Sequence, residues 1–378
     1  MSFDTPGAGA NNDHRPTITH RRNAQRDFEG NTMNEPVYAP SLPEIRVDAK
    51  EEIPVLDLGP YLAGEPGALD RLAEELRHAL ENVGFYFVMN HGIDQALIDG
   101  TFAAARRFFD ELPLERKMAR RFNQHNVGYE PIGGSVTRHS KINENNKPNQ
   151  VESYFIKRDL PAEHPDVVAG VRFRAQNQWP EDLPGFREQC VAYAAAVERL
   201  GKSLVPVYAR SLGLPADYFD KAFEEPMFTL RLSHYPQRPP QQEEDVFGIA
   251  PHTDTGFMTF LPFNEVAGLS IRLPTGRWVD VPGLPGSYLI NSGDMLRRWT
   301  NDRFLSTPHR VINRSGRERY AIPFFMDCDI RWRMECLPTC LEPGQTPKYP
   351  PITYTEYMSW YRAQNYAAPP TDEASPAA

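Results

Sequence analysis

Two imidazoles and one carboxylate carry the chemistry that this chain can do. His252-Thr253-Asp254 sets a histidine and an aspartate one residue apart, and His309 lies further along in Ser306-Thr307-Pro308-His309-Arg310-Val311. Two histidines and one acid form the ligand set of a mononuclear non-haem Fe(II) oxygenase. Residues i and i+2 of a strand share a face, so a strand through this segment would turn His252 and Asp254 toward one ion. His309 is expected to arrive from another strand. Three protein ligands on one side of an octahedral ion leave the other positions open, which separates a catalytic metal site from a closed structural one. A lone His-x-Asp is weak evidence, because both residues favour loops and strand ends. The distal histidine and a suitably spaced arginine strengthen it.

That arginine is Arg319. The stretch from His309 to Met326 reads as two β-rich segments joined by the turn Asn313-Arg314-Ser315-Gly316-Arg317. Alternation puts Arg319 and Ala321 on one face and Tyr320 and Ile322 on the other. With His309 facing inward, Arg319 is expected deeper in the same cavity on the neighbouring strand. There its guanidinium can bind a carboxylate through two parallel hydrogen bonds. The competing reading is a surface arginine paired with Glu318 or Asp327.

The motifs around these residues occur in a known order. Ile53-Pro54-Val55-Leu56-Asp57-Leu58 is followed by Gly84-Phe85-Tyr86-Phe87-Val88-Met89-Asn90-His91-Gly92. Then come Pro251 to Gly256, Gly268-Leu269 with Trp278-Val279-Asp280-Val281-Pro282, Asn291-Ser292-Gly293-Asp294, and Trp299-Thr300-Asn301. From Ile53 to Met326 the chain resembles the 2-oxoglutarate and Fe(II)-dependent dioxygenases of the isopenicillin N synthase-like group. The resemblance implies an α+β fold, mainly β: a double-stranded β-helix, or jelly roll, flanked by helices. It implies Fe(II) held by His252, Asp254 and His309, and 2-oxoglutarate held through its distal carboxylate by Arg319. Tyr235, in Ser233-His234-Tyr235-Pro236, matches a family tyrosine that helps hold the cosubstrate. The chemistry implied is oxidation of a small organic molecule by O2, as hydroxylation or desaturation, with succinate and CO2 as co-products. Two departures stand out. The family's Asn-x-Tyr-Pro is Ser233-His234-Tyr235-Pro236 here, and its Arg-x-Ser is Arg319-Tyr320-Ala321. The missing hydroxyl at 321 bears on cosubstrate affinity and leaves open an iron oxidase of the same fold that needs no 2-oxoacid. A metal- or ligand-binding protein without catalysis is a third reading, ranked last because all three ligands are present.

The elements that must position these groups fit that outline. A length of 378 residues and 40% hydrophobic content support a large core. We expect a single catalytic domain over 51–365, with an N-terminal α/β part over 51–225 and the jelly-roll core over 226–330. Extended or disordered tails are expected over 1–50 and 366–378, with Met33 as an alternative start. Helices are expected over Leu69–Leu80, Leu97–Phe109 and Phe186–Leu212, the last carrying Pro206 as a possible kink or break and Gly213 as a stop.

Net charge is −9, which argues against a nucleic-acid partner. No run of ~18 apolar residues suggests a membrane span. Cys190, Cys328, Cys336 and Cys340 form no Cys-x-x-Cys and read as reduced thiols of a cytoplasmic protein. Substrate-facing residues are expected on the loop around Phe122 to Ser140 and on the strand Val151–Ile156. Tyr129, Tyr154, Trp299 and Phe325 are candidates for the lining, with plain core packing the stronger reading for each. His91, His125, His139 and His234 are not expected to bind metal.

Overall fold

A computed structural model of the chain describes residues 52–137, 147–238 and 246–365. The tails expected over 1–50 and 366–378, Met33, His139 and the end of the 122–140 loop lie outside the described residues. The strands of the two main sheets, in chain order, are β1 (Val55–Asp57), β2 (Phe85–Met89), β3 (Gly128–Glu130), β4 (Glu152–Ile156), β5 (Met227–Tyr235), β6 (Ile249–His252) and β7 (Met258–Pro262). They continue with β8 (Leu269–Arg272), β9 (Trp278–Asp280), β10 (Tyr288–Ser292), β11 (His309–Val311), β12 (Arg319–Ala321) and β13 (Phe324–Asp327). One large sheet runs β1-β2-β10-β7-β13-β5-β4-β3, with β12 also paired to β5. A smaller sheet runs β6-β11-β8-β9. One cavity is walled by both: Tyr235, Asn291 and Arg319 reach it from the large sheet, His252 and His309 from the small one. This is the double-stranded β-helix.

Strand alternation decides which face meets the cavity and which meets the helices. On β13, Phe325 points into the cavity, while Met326 lies against Gly201 of the Phe186–Ser211 helix. That helix buries Tyr193, Val197, Leu200, Leu204 and Val205. The Ala68–Asn82 helix packs on it through a face that includes Leu72, Leu76 and Leu80, and the Gln95–Arg106 helix packs on it too. Asp94 caps the latter, its carboxylate accepting the Ala96 N–H at 3.0 Å.

Three local expectations change. The helix expected to reach Phe109 leaves α geometry at Arg107, and a π turn over Arg107–Glu111 buries both Phe108 and Phe109. The long helix runs unbroken through Pro206. The β-rich run from Arg319 to Met326 is two strands, because Pro323 has no N–H for the ladder. Across that break β5 stays continuous, with the Arg231 N–H donating to the Pro323 carbonyl at 3.0 Å.

Candidate metal centre

His252 and His309 are direct cross-strand partners at one end of the β6–β11 ladder. Their ring centroids lie 4.3 Å apart. Asp254 follows the end of β6, so strand alternation does not aim it as the sequence suggested. A loop does. The Asp294 N–H donates to the Asp254 carbonyl at 2.8 Å. Gly293 lies so close beneath that a Cβ there would strike the backbone oxygens of Asp254 and Gly256. The Asp254 carboxylate is then split between two tasks. Its Oδ2 accepts from the Thr259 hydroxyl at 2.7 Å and from the Asn291 amide at 2.8 Å. Its Oδ1 faces both imidazoles, 3.7 Å from Nε2 of His252 and 3.5 Å from Nε2 of His309.

Each ring is oriented by its other nitrogen. Nδ1 of His252 meets the Ala250 carbonyl at 2.9 Å, and Nδ1 of His309 meets the Thr307 carbonyl at 3.2 Å. A carbonyl can only accept, so each Nδ1 carries the proton and each Nε2 offers its lone pair inward. One ligand atom from each residue lies within 4.8 Å of the other two, a cluster sized for a single metal ion. Burial and the neighbouring imidazole push His252 down to about 3, which keeps it neutral. Burial alone would raise Asp254, but the two imidazoles and Asn291 outweigh it and hold the carboxyl well below its usual range. Burial pulls His309 down, and the Asp254 charge raises it net. Two neutral nitrogen donors and one carboxylate fit a divalent, oxygen-tolerant metal.

The cavity beside these groups measures about 60 Å³ and includes Arg319, Tyr235 and Ala321. Arg319 does not sit on the strand next to His309. Its strand β12 pairs with β5 in the other sheet, and the two residues meet across the cavity. Arg319 is buried, its guanidinium lies 4.9 Å from the centroid of the Tyr235 ring, and its Nε donates to the Val266 carbonyl at 3.2 Å. Its Nη1 is buried with no partner among the described residues. An orphaned guanidinium nitrogen in a cavity shared with the cluster fits a carboxylate of a chelating cosubstrate. Ala321 also faces this cavity, as alternation predicted. Opposite it on β5 stands Ser233, whose buried hydroxyl is likewise unpartnered among the described residues.

A second cavity of about 110 Å³ shares Arg231, His252, Asp254 and Phe325 with the first and opens toward Phe122, Phe155, Lys157, Asp327 and the C-terminal helix Tyr354–Asn365. The segments expected to face the substrate do reach the second cavity, through Phe122, Asn126 and Phe155, but of the four aromatic candidates Tyr129, Tyr154, Trp299 and Phe325 only Phe325 reaches either cavity. Tyr129 and Tyr154 spend their hydroxyls on Glu152 and the Gln178 carbonyl, and Trp299 packs on Phe219 and Phe257. Sequence reasoning assigned no role to Thr259, Asn291, Arg231 or Lys157. Thr259 was legible as a lone polar residue in an apolar strand, and Arg231 as sharing the face of Tyr235.

His234 binds no metal and serves as a clasp. Nδ1 meets Glu152 at 2.7 Å and Nε2 meets Glu318 at 2.6 Å, joining β4, β5 and the approach to β12. Burial lowers its pKa, but the two carboxylates outweigh that and raise it above the ordinary 6.5. A raised folded pKa gives stability that is complete below the unfolded value and fades as pH rises through the folded one. Hydrogen bonds to charged groups contribute about 1.5–3 kcal/mol. His234→Gln should therefore cost about that much near pH ~5.5 and clearly less near pH ~9, as read by urea melts at both. An equal loss at both would show that the imidazolium charge contributes nothing.

Comparisons with known proteins agree with this geometry. Residues 53–182 match the family model described as non-haem dioxygenase in morphine synthesis N-terminal, and residues 226–327 match the 2OG-Fe(II) oxygenase superfamily. The 2-oxoglutarate-Fe(II) type oxidoreductase hxnY of Emericella nidulans is 38% identical over 320 residues, covering 83% of this chain and 90% of that protein. Kihadalactone A synthase LFS of Citrus sinensis is 30% identical over 316 residues, covering 81% of this chain and 92% of that one. The crystal structure of a full-length Neurospora crassa protein in complex with alpha-KG superposes with a TM-score of 0.72 at 26% identity, over 85% of this chain and 100% of that chain.

Proposed function

Because the chain belongs to the 2OG-Fe(II) oxygenase superfamily, we propose that His252, Asp254 and His309 hold its Fe(II) and that Arg319, with Tyr235 beneath it, receives 2-oxoglutarate. When bound, iron and 2-oxoglutarate supply the electrons that activate O2 for attack on a C–H bond, leaving succinate and CO2. The residues do the rest. Asn291 and Thr259 fix the carboxylate of Asp254, the Ala250 and Thr307 carbonyls fix the imidazoles, and the apolar walls from Phe85, Leu261 and Phe325 exclude water. The observation that carries this reading is the orphaned Nη1 of Arg319 in the cavity that the three ligands share.

The substrate is read as a small organic molecule in the second cavity, hydroxylated or desaturated in specialised metabolism. A relative named for the synthesis of kihadalactone A supports that setting. Residues 51–365 are read as one catalytic domain, because β1 and β2 share a sheet with β5, β7 and β10. A cytoplasmic site suits four free cysteines, and no helix among the described residues is long and apolar enough to cross a membrane.

The test is succinate release from 2-oxoglutarate by protein supplied with Fe(II), ascorbate and O2. Release should depend on iron and stop on chelation. Metal retention without any 2-oxoglutarate consumption, under every substrate supplied, would sink the assignment.

A further inference from the structure

The second cavity holds a guanidinium with no ion-pair partner among the described residues. Arg231 projects from β5, on the face of Tyr235, and lies between the two cavities. Its Nε donates to the Ser153 hydroxyl at 2.9 Å, and its guanidinium stacks 5.1 Å from the centroid of Phe155, its partner on β4. Those contacts hold the side chain in place and leave both terminal nitrogens without a hydrogen bond or ion pair to any described residue. Glu130 feels the guanidinium charge without forming an ion pair with it.

The other charges in the cavity are already matched. Lys157 is buried, donates to the Thr229 hydroxyl and faces the charge of Asp327. Asp327 accepts the Phe257 N–H at 2.7 Å. Asp254 belongs to the metal cluster. Arg231 is therefore the cation of this cavity whose terminal nitrogens have no hydrogen-bond or ion-pair partner among the described residues, and it lines the space it shares with His252.

The remaining wall mixes aromatic and polar groups, with Asn126, Thr229, Thr253 and Thr255 among its lining residues. Phe122 and Phe155 line it from one side, and Tyr354, Met358 and Tyr361 of the C-terminal helix line it from another. Positions four and three apart on a helix present one face, so that helix closes the cavity with a continuous strip. A cavity on the order of 150 Å³ encloses benzene; this one, at about 110 Å³, admits nothing larger than a single ring, and part of the molecule must extend into the adjoining cavity that shares Arg231, His252, Asp254 and Phe325.

Resting on the oxygenase reading above, we infer that the substrate is a small carboxylic acid with a planar, single-ring body, its carboxylate taken by the terminal nitrogens of Arg231 and its ring held among Phe122, Phe155 and the Tyr354–Tyr361 strip. Arginine offers a carboxylate two parallel donors. Arg231 lines both cavities together with His252 and Asp254, so an acid anchored there is held beside the cluster.

The test uses the full chain loaded with Mn(II), which resists turnover, and saturating 2-oxoglutarate. Benzoate and phenylacetate are titrated against their amides by calorimetry. At least one acid should bind at least roughly tenfold tighter than its amide, the value of one charged hydrogen bond. Arg231→Gln should erase that preference, and Arg231→Lys should keep part of it. No preference for either acid over its amide in the wild-type protein overturns the inference with no variant needed. So does an acid that binds only by competing with 2-oxoglutarate, since that places it on Arg319. The 2-oxoglutarate titration of the Mn(II) protein separates the two readings. Failure of that step counts against the oxygenase assignment. Success there, with no acid preference, counts against the substrate class alone.

Discussion

His252→Ala should yield a folded protein that neither retains a divalent metal nor consumes 2-oxoglutarate. The fold survives because His252 is half-buried at the end of β6 and its side-chain hydrogen bond runs only to the nearby Ala250 carbonyl. What is lost is a neutral nitrogen donor that faces Asp254 across 3.7 Å. His309 and Asp254 then remain as two ligand atoms 3.5 Å apart, too few to hold an ion against water. Metal assistance supplies several kcal/mol to the reaction, so turnover should fall by at least roughly 10³-fold. Asp254→Ala should give the same functional loss with a different stability signature. It leaves the Thr259 hydroxyl and Asn291 amide as buried donors without their acceptor, at about 1–3 kcal/mol each. Equilibrium dialysis with Mn(II) and thermal melts read the two effects separately. Near-native metal affinity in a folded His252→Ala protein would remove this residue from the ligand set.

The difference between those two variants shows where sequence reading stops. Residue types and motif order were enough to pick out the jelly roll and the three residues that the fold clusters, His252, Asp254 and His309. The mechanism that aims each side chain was not legible. His252 and His309 meet because antiparallel register makes them partners, and register between distant strands leaves no mark in a local window. Asp254 is aimed by Asp294, Gly293, Asn291 and Thr259, which belong to segments far along the chain or to a different strand. Arg319 was expected beside His309 because the two are close in sequence. The turn between them instead carries the chain from one sheet to the other, so they face each other across the space to be filled. Alternation, a local rule, succeeded where it applied: Arg319 and Ala321 share the cavity face, and Tyr320 turns away to bond Asp110. The second cavity was legible only in part: the loop at Phe122 and β4 were expected to face it, but the contributions of β5 and of the C-terminal helix left no local mark.

Arg319→Leu should weaken 2-oxoglutarate binding by at least roughly 30-fold, since truncating one partner of a buried charged pair costs about 2–5 kcal/mol. The folded protein already bears a cost at this position. Burial lowers the pKa of Arg319, with Tyr235 offsetting part of that, and Nη1 has no acceptor among the described residues. A carboxylate entering the cavity repays that desolvation, and leucine offers nothing to repay. The reciprocal change is Ala321→Ser, which adds a hydroxyl to the same wall. A hydroxyl that reaches the bound carboxylate contributes about 1.5–3 kcal/mol, or roughly tenfold or more in affinity. Ser233 competes for it. Its buried hydroxyl stands directly across the β5–β12 pair with no partner among the described residues, so the new group can bond there instead. Calorimetry of 2-oxoglutarate on the Mn(II) protein, read beside thermal melts, separates the two. Tighter binding at an unchanged melting temperature places the hydroxyl on the cosubstrate. A higher melting temperature at unchanged affinity places it on Ser233, and then this chain lacks the hydroxyl because β5 would absorb it. Neither change would mean that residue 321 does not face the cosubstrate, and Arg319→Leu alone would have to carry the assignment of this cavity.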